Sequence, residues 1–199
     1  MADKYQELVT GGPLTGVAKS LGLPQPPHLR RHKPGDPLLK NDKVLVTGSG
    51  SDADAVAKQL GDWDLNVRRD QAGDDKVGAI VVVATEAARP KDLQEPVLNA
   101  AKHLRKLDKG GRFIVISRAK AEHGEGSGSA EDVAVNAARG GGRGLDRSMG
   151  HEVRGGSTAN GILVHDGVDV TAPSPVASLH FFLSGRSPFV DGQFLTVSS

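Results

Sequence analysis

Cysteine is absent from this chain of 199 residues, and tyrosine occurs once, at Tyr5. The first absence excludes disulfide bonds and thiol catalysis. The second leaves no phenol in the central and C-terminal parts of the chain. Since a general acid must lie within hydrogen-bond reach of its substrate, Tyr5 is poorly placed to serve a site formed by later residues.

Long apolar runs are also missing. The longest one surrounds residues 79–84, which is far too short to cross a bilayer. The opening residues, MADKYQE, are polar, so no targeting signal is visible. Together with the lack of cysteine, these features predict a cytoplasmic protein with no membrane partner.

Neither sign of charge dominates. The chain has 25 basic and 24 acidic side chains and a formal net charge of +1. This balance gives no general field for nucleic acid or an anionic membrane, so we expect no nucleic-acid partner. The histidines show no metal-ligand spacing, and we predict no metal site; the four considered are His103, His123, His151 and His165.

Residues 1–42 differ from the rest and are predicted to form an N-terminal arm. A short helix is expected first, with one apolar face formed by Leu8, Leu14, Val17, Ala18 and Leu21. A proline-rich segment follows, with prolines at 24, 26, 27, 34 and 37. The segment carries five basic residues: His28, Arg30, Arg31, His32 and Lys33. Two roles are open for them. They bind a phosphate or an acidic partner, or they are exposed in a solvated linker, which the composition favours.

Residues 43–199 alternate short apolar runs with helical segments, a pattern typical of helices packed on a parallel sheet. Strands are predicted at 43–48, 78–85, 111–117, 160–166 and 192–199, and helices at 51–63, 90–108, 130–153 and 173–185. A further strand is indicated at 64–70, although the link to the next strand is too short for a helical crossover. The expected fold is a Rossmann-like or flavodoxin-like doubly wound, mostly parallel sheet of about six strands with helices on both faces.

Several segments then carry a specific resemblance. VTGSG, GAIVVVAT, GGRFIVIS, GRGLDRSMGHEVRGGSTANGILV and SGRSPFVDGQFLTV resemble, in order and spacing, a short-chain dehydrogenase/reductase. The arm resembles the opening of the high-molecular-weight 3-oxoacyl-acyl-carrier-protein reductases, the large FabG type. In those proteins a degenerate reductase-like domain precedes a complete catalytic domain. The parent protein reduces 3-oxoacyl thioesters of acyl carrier protein or coenzyme A with NADH or NADPH.

The resemblance implies that the cofactor motif is vestigial here. Thr47 and Gly48 match the start of the family's glycine-rich loop and are followed by Ser49 and Gly50, but the later glycine positions read Ala or Asp in SGSDADA. Those glycines let the backbone approach a diphosphate. Asp52 and Asp54 also place negative charge where a diphosphate would sit.

Two further features of the family are altered. Residues 82–85, Val-Val-Ala-Thr, replace the family's NNAG motif, and the short link after Asp70 drops the third strand, whose end carries the adenine contact. We therefore expect this chain to bind no NADH or NADPH.

The family's catalytic positions are degenerate as well. The tyrosine position falls at Val135 and the lysine position at Arg139. Valine donates no proton, and arginine is a poor replacement for the lysine. The serine position falls at Arg118, or at Ser117 if the register shifts by one residue. No working catalytic set is expected.

The glycine-rich run 140–144 lies inside a predicted helix, where each glycine costs about 1 kcal/mol relative to alanine. It indicates a kink, an anion-binding turn or close packing. We favour packing, because the family places this helix at its main dimer interface. His180, Phe181 and Phe182 on the last helix are expected in the core or an interface.

Three functions remain open at this stage. The favoured one is a non-catalytic structural and interaction domain that supports dimerisation and packs on a C-terminal catalytic domain. The second is an active reductase with a non-standard catalytic set. The third is that the polar loop 121–132 and the cations of the arm bind an acyl or phosphopantetheine group. Whether the 199 residues are a fragment also stays open, although the last strand completes its pattern at Val197.

Overall fold

The structure is a computed structural model that describes residues 15–20, 32–69, 73–119, 129–153 and 155–198. In chain order the elements are α1 (Thr15–Ser20), β1 (Lys43–Thr47), α2 (Ser51–Gly61), β2 (Asn66–Arg69), β3 (Val77–Ala84), α3 (Gln94–His103), β4 (Leu107–Arg118), α4 (Ala130–Glu152), β5 (Thr158–Val164), α5 (Pro173–Leu183) and β6 (Phe194–Val197). Two short 3-10 helices, Pro90–Leu93 and Leu104–Lys106, flank α3.

The six strands form one parallel sheet in the order β2-β1-β3-β4-β5-β6. β1 lies between its two neighbours, with Val44 opposite Val67 of β2 and Ala79 of β3. The chain thus moves outward from β1 to β2 and then returns to the other side of β1. The predicted fold class, a doubly wound α/β fold, is confirmed.

Helices cover both faces of the sheet. Val81 of β3 belongs to a core cluster with Val56 of α2 and Phe182 of α5. The next residue, Val82, belongs to a second cluster with Ala100 of α3 and Leu145 of α4. Because successive side chains of a strand point to opposite faces, a strand covered on both sides must be apolar throughout. This explains the continuous apolar run that marked β3 in the sequence.

Most predicted elements are present, with boundaries that differ by a few residues. The strand indicated at 64–70 is confirmed as β2, at the edge of the sheet. The helix predicted over 90–108 is wrong at its C-terminal end, because α3 ends at His103 and β4 begins at Leu107. Leu107 pairs with Val77 of β3, so sheet pairing overrides the local helical pattern.

The N-terminal arm is described only in part. α1 confirms that a short helix forms, but Val17, which we expected on its apolar face, is exposed. Pro24, Pro26, Pro27, His28, Arg30 and Arg31 lie outside the described residues. The division between an arm at 1–42 and a domain at 43–199 stays a prediction.

The end of the arm packs on the domain. The backbone of His32 lies near Gly185, after α5: a Cβ built on Gly185 would be 3.5 Å from the His32 Cα. Leu39 is buried in the cluster that contains Val56, and Leu38 packs against the same cluster. The sequence did not predict that these two leucines join the core.

Candidate functional site

In an open parallel sheet, ligands bind at the carboxyl ends of the strands, where the chain changes direction. Here that point lies between β1 and β3. β1 leads into α2 on one face of the sheet, and β3 leads toward α3 on the other face. The crevice between these connections is the candidate site.

The loop after β1 needs glycine for its own geometry. Gly48 has φ +126°, and a Cβ on it would collide with the carbonyl oxygen of Val83 and lie 3.1 Å from the carbonyl carbon. Gly50 has φ +87° and precedes α2. Between them, Ser49 is exposed. Thr47 is buried, and its hydroxyl donates a hydrogen bond to the Pro96 carbonyl at 3.4 Å. The retained motif residues therefore serve an internal turn.

A side chain that the sequence reading missed lies at the start of α2. Oε1 of Glu86 accepts a hydrogen bond from the Ser51 hydroxyl and another from the Asp52 backbone N–H, both at 3.3 Å. A Cβ on Gly50 would collide with the same carboxylate. In dinucleotide-binding folds the diphosphate sits at this helix N-terminus. Glu86 thus places an internal anion there. The sequence signal for this contact was an acidic residue just after β3, the strand that neighbours β1 in the sheet.

The two aspartates of the first turn of α2 are paired with arginines. Asp52 accepts from Arg118 of β4 at 2.9 Å, and the side chains are about one-fifth exposed. Asp54 forms an ion pair with Arg69 of β2, which also donates to the Gly48 carbonyl at 2.6 Å. The repulsion expected from Asp52 and Asp54 is therefore offset by two cations, which themselves occupy the crevice.

Arg118 joins three segments around the crevice. Besides Asp52, it donates to the backbone carbonyls of His165 at 3.2 Å and Val168 at 2.7 Å, both after β5. Nearby, the hydroxyl and backbone N–H of Thr171 hydrogen-bond to Asp169 and lower the pKa of that carboxyl, with a smaller contribution from Arg118. Arg118 is thus a structural tie at one proposed serine position.

Ser117, the alternative serine position, faces the opposite side of the sheet. A Cβ built on Gly142 of α4 would lie 3.0 Å from the Ser117 hydroxyl oxygen and 3.1 Å from its Cβ. Ser117 therefore shares a face with α4, the helix that carries Val135 and Arg139. Its hydroxyl is buried, and no residue of the described chain hydrogen-bonds to it. Of the two possible serine positions, Ser117 is the one that packs directly against α4.

The other two predicted catalytic positions are on α4. Val135 is half-buried and offers no polar atom. One guanidinium nitrogen of Arg139 contacts both carboxylate oxygens of Asp166, at 2.7 and 2.8 Å, and the Arg139 side chain is 13% exposed. The cation at the lysine position is therefore committed to a carboxylate of the same chain.

Helix α4 runs without interruption through the glycine-rich run 140–144. Gly142 is buried against β4, and a Cβ on Gly141 would meet Leu93 at 2.6 Å. Gly140 and Gly144 have open space around them. Gly142 thus packs closely on β4 within the chain. The anion-binding turn is wrong, because the run is helical throughout. A kink and packing of the run at a dimer interface stay predictions.

Within the described residues, no group of three or more His, Asp or Glu side chains is arranged to hold a metal ion. The described helices also include none with the length and apolar character that crossing a membrane requires. The segment 121–128 of the candidate acyl-binding loop lies outside the described residues.

Comparisons with known proteins support the fold. No protein-family model and no curated protein matches the chain. Among solved structures, a double mutant of a short-chain dehydrogenase/reductase from Serratia marcescens is 15% identical, with a TM-score of 0.62 over 82% of this chain and 98% of that chain. A short-chain dehydrogenase from Mycobacterium smegmatis is 18% identical, with a TM-score of 0.56 over 86% and 98%.

A third neighbour was solved with a nicotinamide cofactor. It is a gluconate 5-dehydrogenase from Burkholderia cenocepacia in complex with NADP and tartrate, 16% identical, with a TM-score of 0.57 over 82% of this chain and 96% of that chain. These likenesses establish a short-chain dehydrogenase/reductase-like fold. At such low identity they establish the fold alone.

Proposed function

We propose that this chain is a non-catalytic structural and interaction domain of a reductase of 3-oxoacyl thioesters. In this proposal it supports dimerisation and packs on a C-terminal catalytic domain that is absent from the chain. The parent protein would use NADH or NADPH and act on acyl carrier protein or acyl-CoA substrates in the cytoplasm. One observation carries the proposal: the residues at the family's catalytic and cofactor positions either lack a reactive group or are engaged in contacts within the chain.

The catalytic side of the crevice supports this proposal through three positions. Val135 supplies no proton. Arg139 is paired with Asp166 through a planar guanidinium, so it is unsuited to hold a ribose or to tune a proton donor. Ser117 is covered by Gly142. These contacts argue against the alternative, an active reductase with a non-standard catalytic set.

The cofactor side of the crevice supports the proposal because side chains of the protein already occupy it. Glu86, Asp52 and Asp54 surround the seat of a diphosphate, and Arg118 and Arg69 fill the adjoining space. A dinucleotide would have to displace these ion pairs. Breaking them would leave Asp52 and Asp54 without their arginine partners beside a second anion.

Exposed apolar side chains support an interaction role. Val133 on α4 is 64% exposed, and Phe189, in the loop before β6, is 68% exposed. The open positions Gly140 and Gly144 continue along α4 from Val133 and would allow a partner backbone to approach closely. We propose α4 as the contact surface between copies of the chain.

Ligand-induced thermal stabilisation tests the silent-domain proposal. A ligand that binds only the native state raises stability by about 2.7 kcal/mol at 100 times its Kd. We expect no shift in Tm with millimolar NADH or NADPH and no oxidation of NADPH in the presence of acetoacetyl-CoA. Stabilisation by micromolar cofactor together with turnover would establish the enzyme alternative.

Light scattering tests the interaction role. We expect a dimer that Val133→Asp dissociates, because a charge on an apolar interface must be desolvated. Ala177→Asp, at an exposed position of α5 on the opposite face of the sheet, is the control and should leave the dimer intact. A wild-type monomer at high concentration would reject the proposed role of α4.

A further inference from the structure

We propose that Glu86 is a plug: its carboxylate occupies the anion position at the start of α2 and keeps a diphosphate out. The inference rests on the proposed function, because it explains how a cofactor fold is held in a state that binds no cofactor. The inference assigns the lack of cofactor binding to one specific residue, Glu86. It also predicts that the anion position persists beneath the plug.

The local geometry is built around the carboxylate. The Ser51 hydroxyl and the Asp52 N–H both donate to the same oxygen, Oε1 of Glu86. Gly50 leaves room for this group, since any Cβ at that position would overlap both carboxylate oxygens. The glycine that lets a backbone approach a phosphate in related folds thus lets a glutamate approach here.

The surrounding charges single out Glu86. Asp52 is paired with Arg118 and Asp54 with Arg69, so these four side chains sum to zero. Among the described residues, no Lys, Arg or His forms a salt bridge with Glu86. Its negative charge is instead favoured by the backbone dipoles of α2, an 11-residue helix. Removing this one charge would leave the Ser51 hydroxyl and the Asp52 N–H as donors at a position without net charge.

The position of Glu86 in the chain allows it to act in this way. It follows β3 by two residues, and β3 is the neighbour of β1 in the sheet. The carboxyl ends of these parallel strands lie at the same edge, so a side chain after β3 reaches the helix that starts after β1. Glu86 therefore reaches across the crevice, and its side chain lies in the space that an incoming ligand would occupy.

Titration calorimetry with inorganic pyrophosphate tests the plug in wild type, Glu86→Gln and Glu86→Ala. We expect both variants to bind pyrophosphate at least about tenfold more tightly than wild type, because a unit charge within a few ångströms of the anion is removed. The gain should shrink with added salt. Glu131→Gln, an exposed glutamate in the first turn of α4, is the matched control and should not bind more tightly than wild type.

The outcomes separate the two proposals. Equal affinity in wild type and in the folded variants would overturn the plug, as would no binding in either variant; the near-isosteric glutamine variant covers the case in which Glu86→Ala does not fold. Those results would leave the silent-domain proposal intact. Binding and turnover of NADPH by wild type would overturn both proposals. A gain in both Glu86 variants but not in Glu131→Gln supports the plug.

Discussion

Around Gly48–Gly50 the crevice is filled by charged side chains, whereas at the end of β4 it is closed by α4 packed on the strand. The charged half contains the pairs of Arg118 with Asp52 and of Arg69 with Asp54. In the packed half, Gly142 lies against Ser117. The same edge of one sheet is thus closed by two kinds of interaction.

The difference shows two ways in which the carboxyl edge of a sheet is closed. Ion pairs fill the space around Gly48–Gly50 and keep it polar. Close packing removes the space itself and leaves the hydroxyl of Ser117 buried without a partner in the described chain. The two halves should therefore respond differently to mutation, salt and pH.

The largest expected effect is at Gly48, where the charged half depends on backbone geometry. Gly48→Ala places a Cβ against the Val83 carbonyl and forces a side chain into a positive-φ conformation. Because the obstacle is backbone of a central strand, we expect a loss of about 3 kcal/mol or more in the free energy of unfolding. Urea denaturation measures this loss in the free energy of unfolding. A loss below about 1 kcal/mol would contradict the finding that the loop lies close to β3.

The next effect concerns the tie formed by Arg118. Arg118→Met removes the pair with Asp52 and two hydrogen bonds to backbone carbonyls, so we expect a loss of about 2 kcal/mol. A double-mutant cycle with Asp52→Asn should give a coupling of about 1 kcal/mol. Lys58→Met is the control, since its pair with Asp62, the residue after α2, is exposed and worth a few tenths of a kcal/mol. Equal losses in Arg118→Met and Lys58→Met would show that Arg118 is not a tie.

The charged half was the part that the sequence predicted least well. Asp52 and Asp54 were recognised as first-turn carboxylates, but their partners Arg118 and Arg69 lie 66 and 15 residues away. Such pairings depend on which strand ends are neighbours in the sheet, and local pattern does not contain that information. Glu86 was missed for the same reason.

The fold was easier to predict. The β-branched run of β3 indicated a buried strand, because that signal is local. The glycines at 140–144 indicated close packing, but the packing that the resemblance favoured was with a second copy and not with β4. The start of β4 at Leu107 and the burial of Leu39 were not predictable in this way. Both depend on contacts with distant parts of the chain.

Two glycines of α4 sharpen the contrast within the packed half. Gly142→Ala brings a Cβ to 3.0 Å from the Ser117 oxygen, so overpacking should outweigh the gain in helix propensity and cost about 1–2 kcal/mol. Gly144→Ala meets open space and should instead stabilise the helix by about 0.5–1 kcal/mol. Thermal denaturation of both variants measures the difference, and effects of the same sign would argue against packing of Gly142 on β4.

Ser117→Ala should raise stability by about 1 kcal/mol, because it removes a buried hydroxyl that the described chain leaves without a hydrogen bond. It should relieve only part of the cost of Gly142→Ala, since the oxygen 3.0 Å from the new methyl group is removed but the Cβ of residue 117, at 3.1 Å, remains. Chemical denaturation of the two single variants and the double variant tests both statements. A destabilised Ser117→Ala variant would mean that the hydroxyl has a partner in the native protein.

The smallest effect is a dependence on pH at Asp169, which lies near Arg118 of the charged half. Hydrogen bonds from Thr171 lower the pKa of Asp169 in the folded protein, so the unfolded state binds the proton more readily. This contribution is fully present well above about pH 4, the ordinary range of an aspartate, and is lost as pH falls through the lowered pKa. Asp169→Asn should therefore flatten the acid limb of a plot of Tm against pH, whereas Ser117→Ala should run parallel to wild type. If Asp169→Asn also ran parallel to wild type, the acid sensitivity of the charged half would have to come from other carboxylates.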